Sequence, residues 1–155
     1  MKIYEVMTID VGFCHPEETL TRAAQIMWEK DCGIVPVLTA EKHILGVVTD
    51  RDIAIAAATR NRRTSSIKAG EMKFRLVKTC LPEDDLKDAL KRMRKYKLHR
   101  LCVVNQDKEL VGIISLSDIL IKAGDKKSVR KLIFSTLEAI AKPAPIVLEA
   151  QETDE

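Results

Sequence analysis

The apolar positions of the chain fall into two similar series, and each series begins at helical spacing. Spacing of i, i+3, i+4 and i+7 predicts an amphipathic helix. The residues concerned are Leu20, Ala23, Ala24 and Met27 in the first series and Leu86, Ala89, Leu90 and Met93 in the second. Pro16 and Pro82 precede the series and acidic residues follow each proline, as in the first turn of a helix. The pattern predicts two equivalent helices that begin near these prolines.

Two apolar runs separated by a polar turn follow each predicted helix. The runs are residues 34–38 and 44–48 in the first copy, and residues 101–104 and 110–114 in the second. Their β-branched residues and polar turns predict paired strands. A second short helix is expected from Asp52 and from Asp118, the latter ending near Gly124. The predicted unit is strand, helix, strand, strand, helix, and it occurs twice.

The two copies align with each other without a gap at an offset of 66 residues. Pro16–Ile53 lies on Pro82–Ile119, and the identical pairs include Gly46 with Gly112 and Asp52 with Asp118. A unit of about 55 residues buries too little apolar surface to be stable alone. We therefore expect the copies to share one core around a pseudo-two-fold axis, with a ligand in the cleft between them.

The repeat divides the chain into four segments. We expect a first repeat at 1–59, a basic linker and the start of the second repeat at 60–73, a second repeat at 74–124, and a C-terminal helix with an acidic tail at 125–155. The apolar residues of that helix are Val129, Leu132, Ile133, Leu137 and Ile140. Pro143 and Pro145 end it. The helix is either a docking site for a partner or a cover on the repeats, and the pattern leaves both open.

Charge and hydropathy restrict the class of protein. The chain has 26 Lys and Arg against 23 Asp and Glu, a net charge of +3, which disfavours a nucleic-acid partner. The longest purely apolar stretch, 53–58, is far shorter than the roughly 20 residues that cross a bilayer. The N-terminus lacks the pattern of a secretory signal. We expect a cytoplasmic protein with no membrane partner.

The cysteines and the other reactive side chains indicate no catalytic site. No pair of cysteines has the close spacing of a metal or redox motif, so we expect reduced thiols, with a zinc or redox sensor as an alternative. Cys14 and Cys80 are equivalent in the repeat, which favours packing over a nucleophile or metal ligand. The chain has no phosphate-binding Gly-rich loop and no glycine-flanked serine. We expect no enzyme, no metal and no required cofactor.

The motif Gly-apolar-apolar-Thr/Ser-x-x-Asp ends the third strand of each copy, at residues 46–52 and 112–118. It places a hydroxyl at the strand exit and a carboxylate where the helix starts. In one interpretation Thr49 or Ser115 caps the helix and Asp52 or Asp118 closes a capping box. In the other, the carboxylate accepts both ribose hydroxyls of a nucleoside while helix amides and hydroxyls meet phosphate.

The doubled motif, preceded by Pro36-Val37 in one copy and His99-Arg100-Leu101 in the other, resembles the cystathionine β-synthase (CBS) domain pair, or Bateman module. The resemblance runs from about residue 6 to 123, and its second half is similar to the γ subunit of AMP-activated protein kinase. It implies an α+β fold of two β-α-β-β-α repeats. It also implies a regulatory module that binds AMP, ADP or ATP and signals to an unidentified partner. S-adenosylmethionine binding, or a protein-interaction module with vestigial clefts, is the alternative.

The resemblance also assigns site residues. Asp52 and Asp118 become ribose acceptors, with the hydroxyls of Thr49, Ser115 and Ser117 near the ribose or phosphates. Each cleft takes residues from the opposite repeat, so Asp52 is expected to face His99 and Arg100, and Asp118 to face Gly33 and Ile34. Only the Asp52 cleft is then expected to offer a cation to phosphate.

Modules of this family commonly dimerise through their helical faces into a disc of four repeats. The alanine-rich stretch 53–58 is small enough for close helix packing. A homodimer is therefore expected.

Overall fold

The computed structural model describes residues 1–143, and it is a mixed α+β structure. The helices are α1 (Leu20–Glu29), α2 (Asp50–Thr59), α3 (Leu86–Tyr96), α4 (Leu116–Ala123) and α5 (Lys127–Ala141). The strands are β1 (Ile34–Leu38), β2 (Ile44–Thr49), β3 (Thr79–Cys80), β4 (Arg100–Val104) and β5 (Leu110–Ser115). Short 3₁₀ turns at Ile3–Glu5 and Ala69–Glu71 occupy equivalent places in the two repeats. No helix among these residues has the length and apolar character needed to cross a bilayer.

The strand pairs have the same register in both copies. β1 lies antiparallel to β2 and β4 lies antiparallel to β5, with Val37 opposite Gly46 and Val103 opposite Gly112. β3 adds to β4 in parallel. At the equivalent place in the first copy, Cys14 forms a single parallel bridge to Val37. The predicted order of strand, helix, strand, strand, helix is confirmed, with the first strand of copy one reduced to this bridge.

The predicted helix starts are wrong. α1 begins at Leu20, because Thr19 caps it by accepting from the N–H of Arg22 at 3.2 Å. A separate turn precedes the cap, in which the backbone N–H of His15 donates to the Glu18 carboxylate at 2.7 Å. Asp84 closes the equivalent turn before α3, accepting from the N–H of Leu81 at 3.0 Å. These carboxylates therefore lie outside the first helical turn in which they were expected. Ala24, predicted to face the core, is exposed.

The expectation of one shared core is also wrong, because the buried apolar residues form two clusters. One cluster contains the predicted core face of α1, and the other contains that of α3. Leu20 and Ala23 are fully buried in the first, and Met93 is fully buried in the second. Each copy therefore has its own hydrophobic core.

Exchanged segments complete the two cores. Ile3 and Val6 are buried in the second core, whereas Ile67 and Ala69 are buried in the first. The hydrogen bonds repeat at the offset of 66: the N–H of Ile3 donates to the carbonyl of Asp84 at 3.1 Å, and that of Ala69 donates to the carbonyl of Glu18 at 2.8 Å. The segment predicted as a linker thus carries a structural element equivalent to the N-terminal segment.

The glycine of each motif makes room for a crossing segment. A Cβ on Gly112 would lie 2.9 Å from Met7 Sδ and 3.0 Å from the carbonyl oxygen of Thr8. A Cβ on Gly46 would meet the ring of Phe74, which is equivalent to Thr8. Each glycine therefore leaves room for another segment of this chain, the N-terminal segment at Gly112 and the segment before β3 at Gly46.

α5 covers the helical face of the second repeat. Val129 and Ile133 are buried in the second core, and the Thr136 hydroxyl lies 3.5 Å from the carbonyl oxygen of Leu90 on α3. Leu90 is buried beneath this helix, whereas its equivalent Ala24 is exposed. α5 is thus a cover on the second repeat. Pro145 and the acidic tail lie outside the described residues.

Candidate ligand-binding clefts

The two strand-exit motifs form capping boxes. The N–H of Asp52 donates to Thr49 Oγ1 at 3.1 Å, and the N–H of Thr49 donates to Asp52 Oδ2 at 2.9 Å. The corresponding distances for Ser115 and Asp118 are 3.1 and 2.8 Å. The capping interpretation is confirmed, and it fixes both carboxylates at the start of their helices.

The first cleft, which we call the Asp118 cleft, has a volume of about 700 Å³. Ser115, Ser117 and Asp118 line one side of it. The N-terminal segment and the connection from α1 to the start of β1 contribute Thr8, Asp10, Lys30, Asp31, Cys32, Gly33 and Ile34. The Thr8 hydroxyl donates to Asp118 Oδ1 at 3.2 Å, so both oxygens of that carboxylate are hydrogen-bonded.

The second cleft lies at the motif that contains Thr49 and Asp52, where the Asp52 cleft was expected. We call it the Thr49 cleft, and it has a volume of about 550 Å³. The start of α2 provides Thr49, Asp50 and Arg51. The connection before β3 and the end of α3 contribute Arg75, Leu76, Val77, Lys78, Lys97 and Leu98. Both clefts fall within the usual size range of small-molecule sites, roughly 300–1,000 Å³.

The pseudo-two-fold axis relates the two clefts. Four residues line both clefts, namely Gly33, Ile34, His99 and Arg100. The offset of 66 residues pairs Gly33 with His99 and Ile34 with Arg100. Other lining positions correspond between the clefts but differ in charge. The left-handed residue that ends α3, Lys97 (φ 54°), lines the Thr49 cleft, and its equivalent in the Asp118 cleft is Asp31 (φ 48°).

The charges of the clefts are opposite in sign. Apart from the shared residues, the Asp118 cleft carries three carboxylates, from Asp10, Asp31 and Asp118, and the Lys30 ammonium is paired with Asp10 at 2.6 Å. The Thr49 cleft carries one carboxylate and four cations, namely Asp50 against Arg51, Arg75, Lys78 and Lys97. The Thr49 cleft is therefore suited to an anionic ligand, and the Asp118 cleft to a neutral or cationic one.

Most of the predicted site residues line the clefts, with two differences from the expectation. Asp52 is not a lining residue of the Thr49 cleft, where Asp50 and Arg51 of the same helix start are exposed instead. The expectation that the Asp118 cleft lacks a cation is wrong, because Lys30 and Arg100 line it. Arg100 begins β4 near the axis and therefore reaches both clefts.

Sequence reasoning missed the polar and charged residues that the N-terminal segment and the segment before β3 place in the clefts. Thr8 and Asp10 precede the first helix by ten residues or more, and Arg75 and Lys78 lie just before β3. The signal that could have found them is the offset itself. Continued before Pro16, it pairs 1–15 with 67–81 and makes both stretches part of the repeat.

Three of the four thiols are buried. Burial raises the pKa of Cys14 to about 11 and that of Cys80 and Cys102 to about 12, so these groups stay protonated near neutral pH. All four cysteines are free, and Cys32 is partly exposed at the Asp118 cleft. Within residues 1–143, no three His, Cys, Asp or Glu side chains are grouped to hold a metal ion.

The chain belongs to the CBS domain family. The model of the CBS domain matches residues 3–59 and 73–124. A curated relative is the CBS domain-containing protein YhcV of Bacillus subtilis, 32% identical over 127 residues, which are 81% of this chain and 88% of the relative. The two β-α-β-β-α repeats are thus a CBS domain pair, as the sequence motifs indicated.

Solved CBS structures have the same architecture. Hypoxic Response Protein I with two coordinated zinc ions has a TM-score of 0.70 and 28% identity, covering 78% of this chain and 98% of that one. The CBS domain pair of protein MJ0100, in complex with 5′-methylthioadenosine and S-adenosyl-L-methionine, has a TM-score of 0.69 and 23% identity, covering 82% and 98%. The second likeness concerns the fold alone.

Proposed function

We propose that this protein is a regulatory module that binds AMP, ADP or ATP in the Thr49 cleft and signals its occupancy to a partner protein. The observation that carries the proposal is the excess of cations in that cleft. Arg51, Arg75, Lys78 and Lys97 are opposed by Asp50 alone among the residues that are not shared. Charge-assisted hydrogen bonds from such groups are the usual means of holding phosphates.

The shared residues extend this basic surface toward the axis. His99 and Arg100 line the Thr49 cleft, as expected from the family pattern. We propose that Arg100 contacts phosphate and that Asp52 accepts the ribose hydroxyls. The capping box supports the second role, because the Thr49 hydroxyl donates to Asp52 Oδ2 at 2.7 Å and holds the carboxylate in place.

A second ligand is proposed for the Asp118 cleft. Its three carboxylates favour an adenosyl compound that carries positive charge or none, such as S-adenosylmethionine or adenosine. The MJ0100 pair, which has the same fold, is in complex with S-adenosyl-L-methionine and 5′-methylthioadenosine. In this assignment Asp118 accepts the ribose hydroxyls, and Ser115 and Ser117 lie beside the ligand.

We propose that the module acts through association and has no catalytic activity of its own. A homodimer is proposed through the exposed face of α1 and α2, where Trp28 is 89% exposed and Ala57 and Ala58 are also exposed. α5 covers the equivalent face of the second repeat, so the proposed dimer uses the first repeat.

Isothermal titration calorimetry with AMP, ADP, ATP, adenosine and S-adenosylmethionine tests the function. Replacing Arg75 and Lys78 together by Ala should weaken ATP by tenfold to over a hundredfold, since a hydrogen bond to a charged group contributes about 1.5–3 kcal/mol. Arg100→Ala should weaken AMP and ATP but spare adenosine. The control Arg94→Ala removes an exposed cation outside the clefts and should change nothing.

The same titrations separate the two clefts. Asp52→Ala should abolish the tighter nucleotide binding, and Asp118→Ala should leave it nearly unchanged. Failure of all five compounds to bind would favour a protein-interaction module with vestigial clefts. Tight ATP binding that survives the loss of Arg75 and Lys78 would contradict the assignment to the Thr49 cleft.

A further inference from the structure

α5 lies outside the repeat but forms part of the Asp118 cleft. Ile133 and Leu137 line this cleft together with Leu120 of α4, and they supply an apolar part of its lining. Ile133 is also buried in the second core, whereas Leu137 is 43% exposed. A ligand in this cleft would therefore bury more of Leu137 and contact the helix directly.

The C-terminal end of α5 is joined to the other cleft. The Lys97 ammonium donates to the carbonyl oxygen of Lys142 at 2.7 Å, and it lies 3.5 Å from that of Pro143. Lys97 also lines the Thr49 cleft. An anionic ligand attracts this ammonium more strongly than a neutral carbonyl does. A phosphate bound in the Thr49 cleft would therefore compete with these carbonyl oxygens for the N–H groups of the ammonium.

We propose that α5 reports which cleft is occupied. A ligand in the Asp118 cleft packs on Leu137 and holds the helix against the second repeat. A phosphorylated ligand in the Thr49 cleft takes the Lys97 ammonium and releases the C-terminal end of the helix. This inference rests on the proposed function, since it requires ligands in these clefts, and it identifies α5 as the element that a partner would sense.

Hydrogen-exchange mass spectrometry on the full chain tests the proposal, with binding measured by calorimetry on the same samples. Saturating ATP should speed amide exchange at residues 138–142 roughly tenfold, the equivalent of one charged hydrogen bond. Saturating adenosine should instead slow exchange at residues 132–137. Exchange in α5 that is unchanged by either ligand, while calorimetry shows binding, overturns the inference and leaves the proposed function intact.

Two pairs of variants give matched controls. Lys97→Met should show fast exchange at the helix end without ATP and no further change with it, whereas Lys95→Met should respond as wild type does. Lys95 is a suitable control because its ammonium lies 5.3 Å from the centre of the Tyr96 ring and Lys95 is not a lining residue of either cleft. Leu137→Ser should abolish the protection by adenosine, whereas Phe134→Ser, on the exposed side of α5, should retain it. Equal responses within either pair overturn the inference, and failure of both ligands to bind overturns it together with the proposed function.

Discussion

Ile3→Ala tests the exchange of segments between the two repeats. Ile3 is fully buried, and it lies in the second core although it precedes the first repeat's helix in sequence. Its equivalent in the first core is Ala69, so the variant makes the two positions alike in size. Truncating a buried Ile to Ala typically lowers the free energy of unfolding by about 2–5 kcal/mol. For a chain of this length the thermal midpoint should fall by roughly 4–20 °C.

The region in which hydrogen exchange increases tests the arrangement more directly than the thermal midpoint does. Hydrogen exchange should increase in α3 and β5, which belong to the second core, while α1 keeps its protection. Ile67→Ala is the matched variant, because Ile67 is fully buried in the first core and should loosen α1 instead. Loosening of α1 by Ile3→Ala to the same extent as α3, or an unchanged midpoint, would refute the exchanged arrangement.

Three further predictions concern titration and association. The pKa of Cys80 and Cys102 is raised to about 12 in the folded state from an ordinary 9.0, so their stabilising contribution is complete below pH 9 and is lost as the pH rises toward 12; the urea midpoint should therefore be lower at pH 10.5 than at pH 8, and less so after replacement of both by Ala. Hydrogen bonding from Arg62 lowers the pKa of Glu71 to about 2, so an NMR titration should find its midpoint there, and Arg62→Gln should raise it; an unchanged midpoint would contradict the pairing. Trp28→Lys should convert the proposed dimer into a monomer in analytical ultracentrifugation, and a variant that still dimerises would exclude the α1 and α2 face.

The local elements of the fold were predictable because their signals are local. The capping boxes at Thr49 and Ser115 follow from a hydroxyl and a carboxylate three residues apart, a spacing at which both hydrogen bonds form within one turn. The helix starts were misplaced because the sequence around Glu18 is compatible with two local arrangements of its carboxylate. It could lie in the first helical turn, or accept from the N–H of His15, and the second arrangement occurs.

The cores could not be assigned from local periodicity. Nothing in the spacing of Ile3 and Val6 indicates that they pack 80 or more residues away in the sequence, against Leu86 and its neighbours. The information is present at longer range. The offset of 66 places Lys2 on Lys68 and Glu5 on Glu71, and both pairs form the same short 3₁₀ turn. A repeat recognised over its full length would have predicted two crossing segments.

The candidate site shows the same division. The strand-exit residues and the start of β4 were found from the motif and the family resemblance, because both lie inside the aligned repeat. Asp10 and Arg75 were missed, since they lie in the segments before it. These missed residues add to the opposite charges of the clefts, to which Asp31 and Lys97 also contribute.

Arg100 lines both clefts and therefore joins them chemically. A change at a residue that lines both clefts alters both, whereas a change at Asp31 or Lys97 alters one. The opposite charges occur at positions that line only one cleft each, such as Asp31 and Lys97. Because Arg100 has one guanidinium for two clefts, a phosphate that binds it in the Thr49 cleft leaves the Asp118 cleft with the single cation of Lys30, which is already paired with Asp10. In the proposed function, occupancy of the Thr49 cleft by a nucleotide would therefore leave the other cleft more negatively charged, and so less suited to a second phosphate.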